Sequence, residues 1–407
     1  MFLKLAWRNV FRHQRRTWIT AAAISIGLGA MIASNTMMNG MDTMASYNII
    51  NYETGHLEIF ADGYYREEGM FPLDTIIEDP DQVRKVVERI KGVQGLTERV
   101  KFPARVSNGI VEFPVLAIGI NAQTESNVFR VHQSVVTGHY LENPSDVVIG
   151  AQLAETMEID TGAVLTVMMR DRNGTFNAYD FIVAGLIYTG HPVLDANAAF
   201  IDLSVAQELL ALGQGVTEIS IRLNNESKVF EMQKVIQQAL GENCEVYNYK
   251  ELYASIFEVS GLKRFMQLIV ALVVIIIAAV GIVNTMLMAV MERIPEIGTL
   301  KAMGYRNREI IMMFLYEGGI IGIFGSVLGC LYGLLVSLIF VFVGLDFSSL
   351  FDTAELGYPV EFFLKGKIDP VMVCMVFLFG VFVSIIVTLW PVRRATKLKP
   401  VDALRHI

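Results

Sequence analysis

Met291-Glu-Arg-Ile-Pro-Glu-Ile-Gly-Thr-Leu-Lys-Ala-Met-Gly304 is a short charged segment between two long apolar runs. Residues 265–291 before it carry no charge, and residues 310–345 after it carry only Glu317. About 20 apolar residues, at 1.5 Å of rise each, cross the hydrocarbon layer of a bilayer, so both runs read as membrane-spanning helices. The segment between them is then a turn at one membrane face. Pro295 suits a first helical turn, where no N–H donor is needed. Gly304 is a natural stop. Ile297, Leu300 and Met303 recur at three-residue steps. Within 292–309 the pattern predicts a short amphipathic helix lying just outside the bilayer.

The whole chain fits a protein divided between bilayer and water. Of its 407 residues, 53% are hydrophobic and only 18% charged. That is too apolar for an ordinary soluble protein and too polar for one held wholly in lipid. Four runs are long enough to span: 17–41, 261–291, 310–343 and 370–390. The first, with its basic flank and small residues near Ala33-Ser34, also has the look of a signal peptide, but it is long for one. Residues 42–260 form one large polar region, and 344–369 a short loop.

Charge orients these pieces. Segments 1–16, 292–309 and 391–407 hold 14 Lys/Arg against 4 Asp/Glu, whereas 42–261 holds 15 against 31. The positive-inside rule places the three basic segments in the cytoplasm, and both the large domain and the 344–369 loop outside. Acidic outer segments argue against a nucleic-acid partner. Residues 1–16 place Leu3, Trp7 and Val10 on one face with Lys4, Arg8, Arg12 and Arg15 beside them, either as an interfacial helix or as a basic flank that orients the first span. Lys263 and Arg264 stand at the outer boundary against the charge rule. They read as ordinary headgroup anchors or as a contact for an anionic lipid headgroup.

The outer domain interleaves strand and helix signals, which makes it α+β. Gly55–Ala61 alternates like a strand. Asp79-Pro80 opens a helix through Ile90, with Asp79 as its cap. Val111–Ile120, Val164–Met169, Phe181–Ile187 and Thr217–Leu223 read as strands, and Ser204–Leu212 and Lys228–Leu240 as helices. Asn173-Gly174 signals a hairpin turn. Two lobes are expected, one built from both ends of the domain and the other from 130–215.

The third span carries Gly318, Gly322, Ser326 and Cys330 at four-residue steps, and Gly325, Gly329 and Gly333 at the same step. Small residues so spaced let helix backbones approach closely. Glu317 near the cytoplasmic end of that span reads as half of a structural pair or as a water contact near the interface, with a proton relay as the less favoured alternative. Neither a nucleophile–base constellation nor a metal-ligand cluster stands out, and His56, His139 and His191 read as domain or surface residues. The chain has no Gly-x-x-x-x-Gly-Lys-Ser/Thr loop, the cradle that holds nucleotide phosphates. Cys244, Cys330 and Cys374 form no obvious disulfide pair.

The stretch Asn284–Gly304, Glu317 with the glycines that follow, and the closing Pro391, Ala395, Pro400 and Ala403-Leu404 resemble the FtsX/MacB-type ABC transporter permeases. Met38-Asn39-Gly40, Phe181–Gly190 through Asp195, and Ala206-Gln-Glu-Leu-Leu210 resemble the Lol-type lipoprotein-releasing subset (LolC/LolE-like). The resemblance implies a four-helix inner-membrane permease with a MacB-like periplasmic domain between the first two spans. It implies no catalysis and no cofactor in this chain, with ATP and Mg held by a cytoplasmic ABC ATPase in two copies. The turn after the second span becomes the coupling helix. There Ile297, Leu300 and Met303 would fill a groove of the ATPase, and Glu292, Arg293, Glu296 and Lys301 would lie at its rim. A second permease subunit, the same chain or another, completes the dimer.

In the Lol-type subset the cargo is an acylated lipoprotein taken from the outer leaflet and passed to a periplasmic carrier. Exposing acyl chains costs about 0.8 kcal/mol per CH₂, so two or three chains need another apolar pocket to enter. Met37, Met38, Phe265, Met266 and Ile269 are the candidates to line it, methionine being adaptable to varied apolar ligands. Packing against lipid or a second subunit is the plainer use of the same residues. The carrier-recruiting members bear a long proline-containing hairpin, whereas Arg170–Asp180 here is short and lacks proline. Efflux of the MacB kind and FtsX-like control of cell-wall hydrolases are the alternatives.

Overall fold

The computed structural model of the chain describes residues 6–8, 14–65, 71–346 and 363–396, without the side chains of 16, 258–264, 345–346, 363–364 and 395. The described residues fall into two compact units, one drawn from residues up to Thr43 and from Glu258 onward, the other Met44–Phe257.

The elements run in the following order. Helix α1, Gln14–Asn48, continues into a π-helical turn at Ile49–Glu53; then come β1, Leu57–Ala61, and α2, Pro80–Val87. Next are β2, Val93–Ser107; β3, Glu112–Ile120; α3, Ala122–Val128; β4, Val135–Gly138; β5, Asp146–Gly150; and α4, Ala151–Thr156. They are followed by β6, Val164–Arg170; β7, Phe176–Ile187; α5, Pro192–Asn197; β8, Ala198–Asp202; α6, Leu203–Leu209; and β9, Glu218–Leu223. The domain closes with α7, Val229–Leu240; β10, Cys244–Asn248; and α8, Tyr249–Leu252. The remaining elements are α9, Ala254–Glu292; α10, Ile294–Ala302; α11, Asn307–Phe342; the short pair β11, Leu345–Asp346, and β12, Phe363–Leu364; and α12, Pro370–Ala395.

Ten strands of unit 44–257 form one mixed sheet in the order β10-β1-β9-β2-β3-β8-β5-β7-β4, with β6 pairing β2 and β7. The expected division into two lobes is therefore not a division of the sheet. Parallel pairing of β3 with β8 stitches residues 112–120 to 198–202, and β5 with β7 is the second parallel pair. The hairpin forms where Asn-Gly predicts it, pairing Val164 with Ile182 through Arg170 with Phe176. Asp171 organises its turn by accepting from the Asn173 and Thr175 amides at 2.9 and 2.8 Å. Asp79 caps α2 through the Gln82 amide at 3.1 Å. Leu57, Ile59, Val100, Phe102, Val106, Leu165, Val167, Ile219 and Ile221 alternate into the core that the sheet shares with α2 and α7.

Among the described residues, four helices are long and apolar enough to cross a membrane: 17–53, 265–292, 307–342 and 370–394. Asp369 caps the last through the Val371 amide at 2.9 Å, with Pro370 at its first turn. The two small-residue rows of α11 serve different neighbours. A Cβ on Gly318 or Gly322 would meet Thr388 or Ser384 of α12, whereas one on Gly325, Gly329 or Gly333 would meet Ile24, Leu28 or Ile32 of α1. Hydroxyls add polar links across the same bundle, Thr20 to Thr285 at 2.7 Å and Thr36 to Ser337 at 2.9 Å.

Candidate functional site

The turn between α9 and α11 carries the residues singled out by sequence. Pro295 lies in the first turn of α10, where its missing N–H leaves nothing unpaired. Gly304, at φ +90°, ends the helix. Its amide bonds the Lys301 carbonyl at 3.0 Å and the Tyr305 amide reaches the Leu300 carbonyl at 3.1 Å, the paired closure that favours glycine at this position. α11 then starts at once, with the Arg306 amide bonded to the Glu309 carboxylate at 2.7 Å.

The faces of α10 differ from the sequence expectation. Ile297 is buried in the chain's own small core with Val290, Ile310, Met313, Phe314 and Val392, and Leu300 is half-buried against that core. Neither is presented as an outward ridge, because α10 lies against the ends of α11 and α12 and fills its apolar side there. The outward surface is Pro295, Glu296, Thr299, Ala302 and Met303, with Met303 69% exposed. Glu292 and Glu296 are exposed as a rim would require.

Arg293 and Lys301, expected at a rim, are half-buried and bond within the chain. Arg293 Nη1 donates to Glu317 at 3.2 Å and its Nε to Glu296 at 2.9 Å, with the guanidinium 5.7 Å from the centre of the Phe314 ring. Lys301 Nζ donates to the Thr396 carbonyl at 2.6 Å. For Glu317 the structure shows the pair, one of the readings that its place in an apolar run left open. The Lys301 contact has no sequence signal, since its acceptor is a backbone carbonyl 95 residues away.

Among the described residues, none of the outlined cavities is lined by the candidate acyl-pocket residues, so the described structure does not gather them into a pocket. Met37 and Met38 are half-buried on α1, and Phe265, Met266 and Ile269 are 59%, 56% and 42% exposed on α9. A gap within the helix bundle, among Ile24, Leu28, Val274, Ala278 and Phe379, encloses only about 10 Å³, about the smallest space that holds one water. An acyl site at the five candidates would have to be completed from outside the monomer. The side chains of Lys263 and Arg264, the headgroup candidates, lie outside the described residues.

The outer domain is held by charge in its interior. Arg99 is fully buried, pairs with Glu125, donates to the Glu53 carbonyl at 2.9 Å and lies 3.3 Å from the centre of the Phe129 ring. Lys101 stands 2.9 Å from Glu218 and 3.7 Å from Glu58. Burial disfavours the Lys101 cation, but the two carboxylates outweigh it and raise its pKa. On the open face of the β6–β7 hairpin, Phe71, Leu73, Arg105, Met168, Arg170 and Phe176 line a groove of about 630 Å³. A separate recess of about 370 Å³ beside α7 is lined by Phe230 and Gln233. Arg105 pairs with Glu112 at 3.2 Å and Arg172 with Glu78 at 2.9 Å at the rim of the hairpin groove.

Comparison with known proteins places this architecture. Residues 17–239 match the model of the MacB-like periplasmic core domain, more than half of the chain. The chain belongs to that family. Residues 268–400 match the FtsX-like permease C-terminal model, so the membrane helices and the turn carrying α10 agree with the assignment. The chain is an ABC transporter permease of the FtsX/MacB/LolC type, an inner-membrane protein with a periplasmic domain. It is 25% identical over 401 residues to the lipoprotein-releasing system transmembrane protein LolC of Neisseria meningitidis, covering 96% of this chain and 94% of that one. It is 22% identical over 394 residues to LolE of Haemophilus influenzae, covering 95% and 93%. The macrolide export ATP-binding/permease protein MacB of Bradyrhizobium diazoefficiens is 20% identical over 416 residues, which is 99% of this chain and 60% of that longer protein. Permeases of this type work with cytoplasmic ATPases.

Proposed function

We propose that the chain is the transmembrane subunit of an ATP-driven transporter that extracts acylated lipoproteins from the outer leaflet of the inner membrane for transfer towards the outer membrane. The observation that carries this reading is the match to LolC along nearly the full length of both chains. ATP hydrolysis is assigned to two copies of a separate cytoplasmic ATPase, received on the outward face of α10. Both chain termini are then cytoplasmic. Nucleotide-driven closure of the ATPases moves the periplasmic domains of a permease dimer, by mechanotransmission rather than through a substrate channel. Met37, Met38, Phe265, Met266 and Ile269 contribute to the acyl-chain site only once a second subunit or the cargo covers α9, since three of the five are open in the monomer.

A photo-reactive residue at Phe265 or Met266, used in cells, tests the proposal. Recovery of acylated proteins on crosslinking supports lipoprotein release. Recovery of no lipidated species rejects it in favour of the second reading, efflux of a peptide or small molecule, which the 99% coverage by the MacB relative supports.

A further inference from the structure

α10 is fastened at both ends by charged side chains, to two different helices. At its start, Arg293 reaches Glu317 of α11 at 3.2 Å. The Glu317 side chain is 8% exposed and that of Arg293 19%, so the pair is shielded from bulk water and weakened little by salt. At its end, Lys301 Nζ donates at 2.6 Å to the carbonyl of Thr396, the residue that caps α12. The last carbonyls of a helix lack partners within it and carry its negative pole, so an ammonium there is doubly favoured. Between these two ends, Ile297 packs with Phe314 of α11 and Val392 of α12. A nine-residue helix is too short to persist in water by itself. Its order comes from these attachments.

We propose that Arg293 and Lys301 are positioning residues which tie α10 to α11 and α12, so that a load applied to α10 moves those two spans with it. They act within the chain and leave the outward face, Thr299, Ala302 and Met303, for the partner. This inference rests on the reading of α10 as the coupling helix. Glu317 is the informative position. Neutralising it leaves Arg293 its ion pair with the exposed Glu296 at 2.9 Å, so the cation keeps a partner.

The test uses the full-length chain in detergent, alone and co-expressed with the ABC ATPase of its source genome, in the variants Glu317→Gln, Lys301→Gln and the conservative Arg293→Lys. Hydrogen exchange of residues 294–302 is followed in the chain alone. Co-purification of the ATPase, and release of a triacylated reporter lipoprotein per ATP hydrolysed, are followed in the complex. Expected for Glu317→Gln and Lys301→Gln are exchange at least ten-fold faster, ATPase recovery within two-fold of wild type, and release per ATP down at least five-fold. Arg293→Lys keeps the cation and stays within two-fold on all three. Unchanged exchange in both variants overturns the ties. Lost ATPase binding with unchanged exchange overturns them too, and makes the side chains partner contacts. A wild-type chain that binds no ATPase rejects the coupling reading of α10 instead, and the exchange measurement still decides whether the ties exist.

Discussion

Gly318 of α11 faces Thr388 of α12 so closely that a Cβ on the glycine would lie 2.2 Å from the threonine Oγ1. That hydroxyl is itself held, donating to the Ser384 carbonyl at 2.7 Å, and Thr388 is fully buried. One turn on, a Cβ on Gly322 would meet Ser384 at 2.6 Å. The side chain at 318 therefore has nowhere to go without parting the helices. Gly318→Val is expected to destabilise the bundle by about 1–3 kcal/mol, the range for overpacking. Thr388→Ala in the same chain should recover part of the loss. Gly319→Ala is the control, since its Cβ would meet Ile385 at an ordinary 3.7 Å. Thermal unfolding in detergent, read by size exclusion, ranks the three. Equal losses at 318 and 319 would discard the close-approach account.

Met303 supplies the second prediction. Its 69% exposure, on a face it shares with Pro295, Glu296, Thr299 and Ala302, leaves it the largest apolar group that α10 offers to a partner. Met303→Asp should cut the chain's stimulation of its ATPase at least ten-fold while leaving yield and monodispersity unchanged. Leu300→Asp is a poorer probe, because Leu300 is half-buried against the Ile297 core and its loss mixes unfolding with uncoupling. Stimulation by Met303→Asp equal to wild type would remove α10's outer face from the coupling site.

The contrast between these two positions shows where the sequence was legible. Four spans, the turn between α9 and α11, and the glycine rows follow from length, charge and spacing, because lipid permits few alternatives. The two faces of α10 do not follow from its spacing. Ile297, Leu300 and Met303 share a stripe, yet only the structure shows that the stripe turns inward at one end and outward at the other. β2 leaves no signal for a related reason. Thr97-Glu-Arg-Val-Lys101 carries three charges in five residues, yet Glu98 and Arg99 are buried, each facing an opposite charge from elsewhere in the chain. Pairings over such separations leave no local periodicity.

The buried Arg99–Glu125 pair gives the third prediction. Taking two charges out of water is costly, and it is tolerable only while each has the other. Glu125→Ala strands a fully buried guanidinium and should destabilise the periplasmic domain by about 3–5 kcal/mol. The double variant Arg99→Met/Glu125→Leu removes the cation together with its partner and should cost clearly less than the single one. Urea unfolding of the full-length protein, followed by hydrogen exchange in β2 and β9, measures both. A double variant as damaged as Glu125→Ala would show that the pair is needed for more than mutual neutralisation.

His56 makes the domain's stability depend on pH. Its Nδ1 accepts from the Leu223 amide at 3.2 Å, which requires the neutral ring. Burial, and then the nearby Arg222, lower its pKa from 6.5 to about 4, against an opposing pull from Glu226. The unfolded chain therefore binds more protons than the folded one between about pH 4 and 6.5. Stability from this group is complete above pH 6.5, falls as the pH drops through that window, and changes no further below about 4. The loss is on the order of 3 kcal/mol across the window. Carboxylates titrate over part of the same range, so the measurement is a difference. His56→Gln keeps an acceptor for Leu223 and cannot charge. Urea midpoints of wild type and variant, read by exchange protection in β1 and β9, should differ in slope between pH 6.5 and 4.5, with the wild type falling faster. Parallel slopes would mean that His56 takes up its proton alike in the folded and unfolded chain, so that the fold does not hold the ring neutral.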